Sequence, residues 1–209
     1  MPITDYTHLT LVVDRSGSMS SIRTDAEGGI KTLLTEQFAE DGKLTVTLVD
    51  FDETSNTVTR FSDAPIEYHL QPRGCTALFD AVGSEIIRTG QDLAALPEDQ
   101  RPDQVLFVVV TDGQENSSRE FPIERVRELI AQQRDQYKWV FQFLGADESA
   151  WQGQEMGMQS ARFSHDSKGQ SAAYLALNDS MKRIRKMKEE AFDLASFIDD
   201  DYEPEQKPE

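Results

Sequence analysis

Two periodicities alternate along the chain. Runs of β-branched and apolar residues predict strands at 8–13 (HLTLVV), 43–51 (KLTVTLVDF), 56–62 (NTVTRFS), 105–110 (VLFVVV), 138–145 (KWVFQFLG) and 160–164 (SARFS). Between them, apolar residues recur at helical spacing. Ile22, Ile30, Leu33, Leu34 and Phe38 mark a helix over 20–39, weakened in its middle by Gly28-Gly29. Leu78, Phe79, Val82, Ile86 and Ile87 form the stripe of a second over 76–93. Further helices are predicted over 122–136, opened by a proline, over 149–157, and over 169–192. "DETS" at 52–55 reads as a hairpin turn, which gives the sheet one antiparallel strand. VLFVVV is apolar at every position, as strands covered on both faces are. The expected fold is therefore α/β: a doubly wound, mostly parallel sheet with one antiparallel edge strand and helices on both faces.

Charge refines this picture. The net charge of −17 is unusual for 209 residues, but residues 189–209 alone hold nine acids and one lysine. We expect one folded domain over 1–192 and an acidic, proline-containing, flexible tail over 193–209. Such a balance argues against a nucleic-acid partner or an anionic membrane surface, and suits cation binding, a basic partner or plain solubility. The single cysteine, Cys75, excludes an intrachain disulfide. The opening MPITDYTHLT lacks the basic and apolar regions of a signal peptide, and no apolar run approaches the roughly 18 residues of a membrane span. A cytoplasmic protein is expected.

Oxygen-bearing side chains gather at predicted strand ends. The first strand runs into DRSGSM, which sets Asp14, Ser16 and Ser18 at alternate positions around Gly17. The central strand ends in TDG, with Thr111 and Asp112. Thr76 follows a glycine-containing loop, RGCT, at the start of the second helix. In doubly wound sheets, ligands sit at the carboxyl ends of strands near the switch in strand order. Hydroxyls and carboxylates converging there suit a hard cation such as Mg²⁺. Two carboxylates leave room for an outside carboxylate to complete the shell.

This set resembles the von Willebrand factor A domain with its metal-ion-dependent adhesion site. Asp14, Ser16 and Ser18 match its Asp-x-Ser-x-Ser motif, Thr76 its threonine, and Asp112 its later aspartate. The resemblance spans about residues 8–185, and its wording is most similar to stand-alone intracellular domains of bacteria and phages. It implies Mg²⁺ or Mn²⁺ held by these five residues and a protein partner that offers a carboxylate, with AAA+ or MoxR-type ATPases among the settings known for such domains. It implies no enzymatic activity. One departure is Cys75, which stands where a second glycine is frequent.

The same residues admit other readings. A Mg²⁺-dependent phosphatase needs a second Asp two positions after the first, where this chain has Ser16; a receiver domain needs paired acids at Asp14 and a lysine where the fifth strand instead ends in LGADES. A structural role in a phage or bacterial assembly stays open. Ser16 and Ser18 could simply cap the next helix. Arg15 is expected to be exposed, either solvated or guiding an acidic partner. Cys75 is expected to be a small buried residue, and Trp139 and Trp151 core or partly buried. His8, His69 and His165 have no zinc spacing. Asn116-Ser117-Ser118 is a glycosylation sequon, idle in the cytoplasm, and MKRIRKMK (181–188) a basic helical face that pairs with nearby acids.

Overall fold

A computed structural model describes residues 3–164 and 166–187. Six strands, β1 (Ile3–Asp14), β2 (Lys43–Phe51), β3 (Ser55–Ser62), β4 (Pro102–Thr111), β5 (Val140–Ala146) and β6 (Gln159–Phe163), form one sheet in the order β3-β2-β1-β4-β5-β6. Only the β2–β3 pair is antiparallel. The helices are α1 (Arg23–Ala39), α2 (Leu78–Ala95), α3 (Ile123–Tyr137), α4 (Trp151–Met156) and α5 (Ser167–Lys186). The expected fold class is the observed one. From β1 the chain steps outward to β2 and β3, then returns to lay β4 on the other side of β1. The β1–β4 boundary is thus the switch in strand order, and its C-terminal end is where such sheets bind ligands.

Strict alternation in the central strands explains their unbroken apolar runs. Leu106, Val108 and Val110 of β4 join Leu9, Leu11 and Val13 of β1 in a core capped by α1 and α5. Val105, Phe107 and Val109 point the other way, into a second core with α2 and α3. The glycine pair in α1 has a packing reason at one position. A Cβ on Gly29 would lie 2.3 Å from the Tyr174 ring of α5, so glycine lets the two helices close up. Gly28 faces open space.

The basic face of α5 ties the same helices together. Lys182 pairs with Glu36 at 2.8 Å and with Glu40 at 3.3 Å, and Arg185 donates to the carbonyls of Gln37 and Asp41. The second core also carries polar pairs. Arg60 meets Glu85 at 2.8 Å and also pairs with Asp92. His8 is fully buried, stacked on Phe61 and hydrogen-bonded through Nδ1 to Thr45 Oγ1 at 2.9 Å. Burial, then the nearby Arg60 charge, pushes its pKa down to about 3, so it is neutral.

Element ends differ from expectation where loops do other work. β1 and β4 begin earlier than predicted, because Asp103 accepts from the backbone N–H groups of Asp5 and Tyr6. α1 starts at Arg23 and not at Ser20, since Gly17–Ser21 forms a separate 3-10 turn. α2 starts two residues late, at Leu78, because both backbone groups of Thr76 are already engaged elsewhere. Among the described residues, no helix is long and apolar enough to cross a membrane. His165, the predicted extension of the last helix over 188–192, and the acidic tail over 193–209 lie outside the described residues.

Candidate metal centre

Asp14 ends β1 fully buried. Its Oδ1 accepts from the Ser16 N–H at 2.6 Å, which turns the chain sharply into the 3-10 turn. The Ser16 and Ser18 hydroxyls lie 3.0 Å apart, and Ser18 Oγ donates to Asp112 Oδ1 at 2.6 Å. Ser16 makes no side-chain capping bond, so a cap does not explain its hydroxyl. Thr111, the last residue of β4, donates to Asp14 Oδ2 at 2.6 Å and locks the two strand ends together.

Thr76 arrives from the third segment, nearly fully buried. Its N–H donates to Asn116 Oδ1 at 2.9 Å, and its carbonyl accepts from the N–H groups of Asn116 and Ser117. The sequon is thus a structural bracket between the loop after β4 and the loop before α2. Two more acids reinforce it. Glu115 accepts from the N–H groups of Phe79, Ser117 and Ser118, and Asp80 from those of Arg119, Glu120 and Phe121.

All five residues predicted from the sequence meet at one end of the sheet. The convergence is sharpest at Gly113. A Cβ built there would lie 3.1 Å from Thr76 Oγ1, 3.2 Å from Ser18 Oγ and 3.5 Å from Asp14 Oδ2. Three oxygens from two chain segments therefore surround a single cradle, roofed by a glycine of a third segment. Asp14 sits here against its own desolvation. Burial pushes its pKa up to about 6, opposed by hydrogen bonds from Thr111 and Ser16, with the Asp112 charge adding to the rise. A buried carboxylate beside a second one lacks positive charge, and a divalent cation would supply it. Among the described residues, no group of three or more His, Cys, Asp and Glu side chains is arranged to hold a metal. The donor set is instead rich in hydroxyls, which fits a hard cation.

Two expectations are corrected. Arg15 is buried, not exposed, with ion pairs to Asp50 at 3.2 Å and to Asp52 at 3.1 Å. It cannot reach out to guide a partner. Cys75 is exposed, not buried. The Glu53 carboxylate beside it raises its pKa, which disfavours the thiolate. Trp139 is buried as expected, while Trp151 is 48% exposed with its indole N–H donated to the Glu148 carbonyl. Sequence reasoning missed Thr111 as the link between strands, Gly113 as the roof, and Asn116, Glu115 and Asp80 as loop anchors. The polar run Gly113–Ser118 was the available signal, since such residues fix loops through local hydrogen bonds.

Fold and site together define a doubly wound α/β protein with an oxygen-lined crevice at its switch in strand order. No family model and no curated protein matches the chain. Solved structures do. The von Willebrand factor domain of the type V pilus tip protein Mfa5 from Porphyromonas gingivalis superposes with a TM-score of 0.60 at 12% identity, covering 90% of this chain and 98% of that one. Proximal thread matrix protein 1 from the mussel byssus, in a structure with a zinc-occupied MIDAS motif, gives 0.60 at 14% identity over 85% of this chain and 46% of its own. A von Willebrand factor type A protein from Catenulispora acidiphila gives 0.58 at 15% identity over 82% and 42%. The chain thus spans under half the length of the latter two. Its fold is that of the von Willebrand factor A domain.

Proposed function

We propose that Asp14, Ser16, Ser18, Thr76 and Asp112 hold a divalent cation, Mg²⁺ or Mn²⁺, and that the domain captures a carboxylate of a partner protein there. The observation that carries this reading is the cradle at Gly113, where oxygens of the Asp14–Ser18 loop and of Thr76 lie 3.1–3.5 Å from one point on a third segment. The mussel protein, which shares this fold, holds zinc in its MIDAS motif, and this supports a metal-binding role. When bound, the cation supplies the positive charge that a partner carboxylate needs and that the protein's own side chains lack at this spot. Asp14 and Asp112 provide charge, Ser16, Ser18 and Thr76 provide neutral oxygens, and Thr111 holds Asp14 in place. Five donors leave one position of a six-coordinate cation for an oxygen from outside.

Protein binding, and not catalysis, is the role we assign, from the resemblance of the donor set to an adhesion site. A partner of the AAA+ or MoxR ATPase type, in a reducing cytoplasm of bacterial or phage origin, is the finer setting we propose from the motif wording. The pilus and byssus neighbours favour adhesive or structural assembly as the second reading. We assign residues 1–192 to the domain and 193–209 to a tail. The test is calorimetric titration with Mg²⁺ and Mn²⁺, followed by capture of partners in Mg²⁺ and again in EDTA. Saturable metal uptake and EDTA-sensitive capture are expected; capture of equal strength in EDTA would place the interface elsewhere.

A further inference from the structure

We propose that Asp52 is a positioning residue for the metal centre, a role that rests on the metal reading above. Asp52 is no candidate ligand. It follows β2, on a third loop beside the two that carry Ser16 and Thr76. It is 5% exposed and sits between two guanidinium groups, one from each of those loops. Its Oδ2 lies 3.1 Å from Arg15 Nε and 2.7 Å from Arg73 Nε. Its Oδ1 accepts from the Thr54 N–H at 2.9 Å, and its carbonyl accepts from the Ala77 N–H at 2.9 Å.

Backbone bonds run beside this carboxylate and close the same ring. The Arg15 N–H donates to the Phe51 carbonyl at 2.7 Å, the Arg73 N–H to the Arg15 carbonyl at 2.7 Å, and the Gly17 N–H to the Gly74 carbonyl at 3.1 Å. Arg15 stands between Asp14 and Ser16, while Arg73 and Ala77 flank Thr76. The Asp52 side chain and these backbone bonds together fix the separation of the first and second donor groups. Charges balance within the clamp, with Arg15 and Arg73 set against Asp50 and Asp52. Burial alone would raise the Asp52 pKa, but Arg73, the Thr54 N–H and Arg15 together hold it at about 2. It stays charged across the working pH range. Groups that orient metal ligands from behind commonly change metal affinity by about 10–100-fold when removed.

Two variants separate positioning from folding. Asp52→Asn removes the charge at nearly constant shape. Arg73→Gln breaks only the arm to the Thr76 loop, and the Arg73 side chain is 65% exposed, so the fold loses little. Arg73→Lys restores the charge. Mn²⁺ affinity is measured by titration well below each melting temperature, and amide exchange at Gly17 and Ala77 is followed in the metal-free proteins. We expect Kd to rise about tenfold in Asp52→Asn and severalfold in Arg73→Gln, with recovery toward wild type in Arg73→Lys. Exchange should quicken at Gly17 and Ala77 but not at Val109 in the central strand. Kd values within twofold of wild type in both disrupting variants would overturn the positioning role, even if melting temperatures fell. Wild-type protein that takes up no Mn²⁺ would instead overturn the metal reading itself.

Discussion

Gly113→Ala adds one methyl group to the roof of the cradle. Its carbon would lie 3.1 Å from Thr76 Oγ1, 3.2 Å from Ser18 Oγ and 3.5 Å from Asp14 Oδ2. Oxygen ligands of Mg²⁺ lie at about 2.0–2.1 Å, so these oxygens must draw inward, while a methyl at ordinary contact distance pushes them apart. Gly113 is not among the positive-φ residues, so alanine is compatible with its backbone. The unfolded chain loses freedom, worth about 0.4–1 kcal/mol in favour of the variant, and two tight contacts offset part of that. Metal-free stability should therefore change by less than about 1 kcal/mol. Affinity for the cation should fall at least about 100-fold, since the methyl opposes three donors at once. Thermal melts report both quantities. At a metal concentration 100 times the wild-type Kd, binding adds about 2.7 kcal/mol. For a protein of this size that raises the melting temperature by about 5–10 °C, and the variant should keep no more than about 1–2 °C of it. A variant that melts like wild type without metal and shows the full metal shift would sink the assignment of this cradle.

Other substitutions test separate parts of the site. Asp14→Asn should abolish metal binding yet stabilise the metal-free protein at pH 7.5 by about 1–3 kcal/mol, as denaturant melts in EDTA would show. The sign follows from a folded-state pKa raised to about 6: the charged form is disfavoured, so Asp14's contribution is fullest below about pH 4 and is lost as pH rises through 6. His8 acts in the opposite direction. Its pKa is pushed down to about 3, so the unfolded chain takes up a proton that the folded one refuses. Its contribution is complete above about pH 6.5 and falls by about 1.4 kcal/mol per unit between there and pH 3. Comparing the pH dependence of melts for His8→Gln and wild type isolates that slope; equal slopes would contradict it. Thr76→Ala should weaken capture of an acidic partner about tenfold while the circular dichroism spectrum stays unchanged.

Much of this architecture was readable from the chain because period and position agreed. The apolar runs of β1 and β4 are too short for ordinary helices and rich in β-branched residues, and each is followed within two residues by a carboxylate. The five candidate donors follow from those endings and from one threonine. What stayed hidden depends on distance. Nothing local distinguishes a solvated Arg15 from one clamped by Asp50 and Asp52, which lie more than 30 residues away in the sequence but alongside it in the sheet. Cys75 was placed inside on residue type, but the turn that delivers Thr76 to the cradle leaves its neighbour outside. The role of Gly113 was invisible for a related reason, since a glycine after a strand end marks a turn in any fold.

The pairing of β1 with β4 has a consequence for how the molecule forms. Leu9 is matched with Leu106, and Ser18 meets Asp112 across 94 residues of chain. Local β2–β3 pairing can begin early, but the central pair requires closure of a loop of about 100 residues, which slows folding. The cradle exists only after that closure, so no fragment that stops before β4 can assemble it. A cation that recognises the cradle therefore recognises completed topology. Metal uptake followed in a refolding experiment should lag behind secondary structure and coincide with the slowest step.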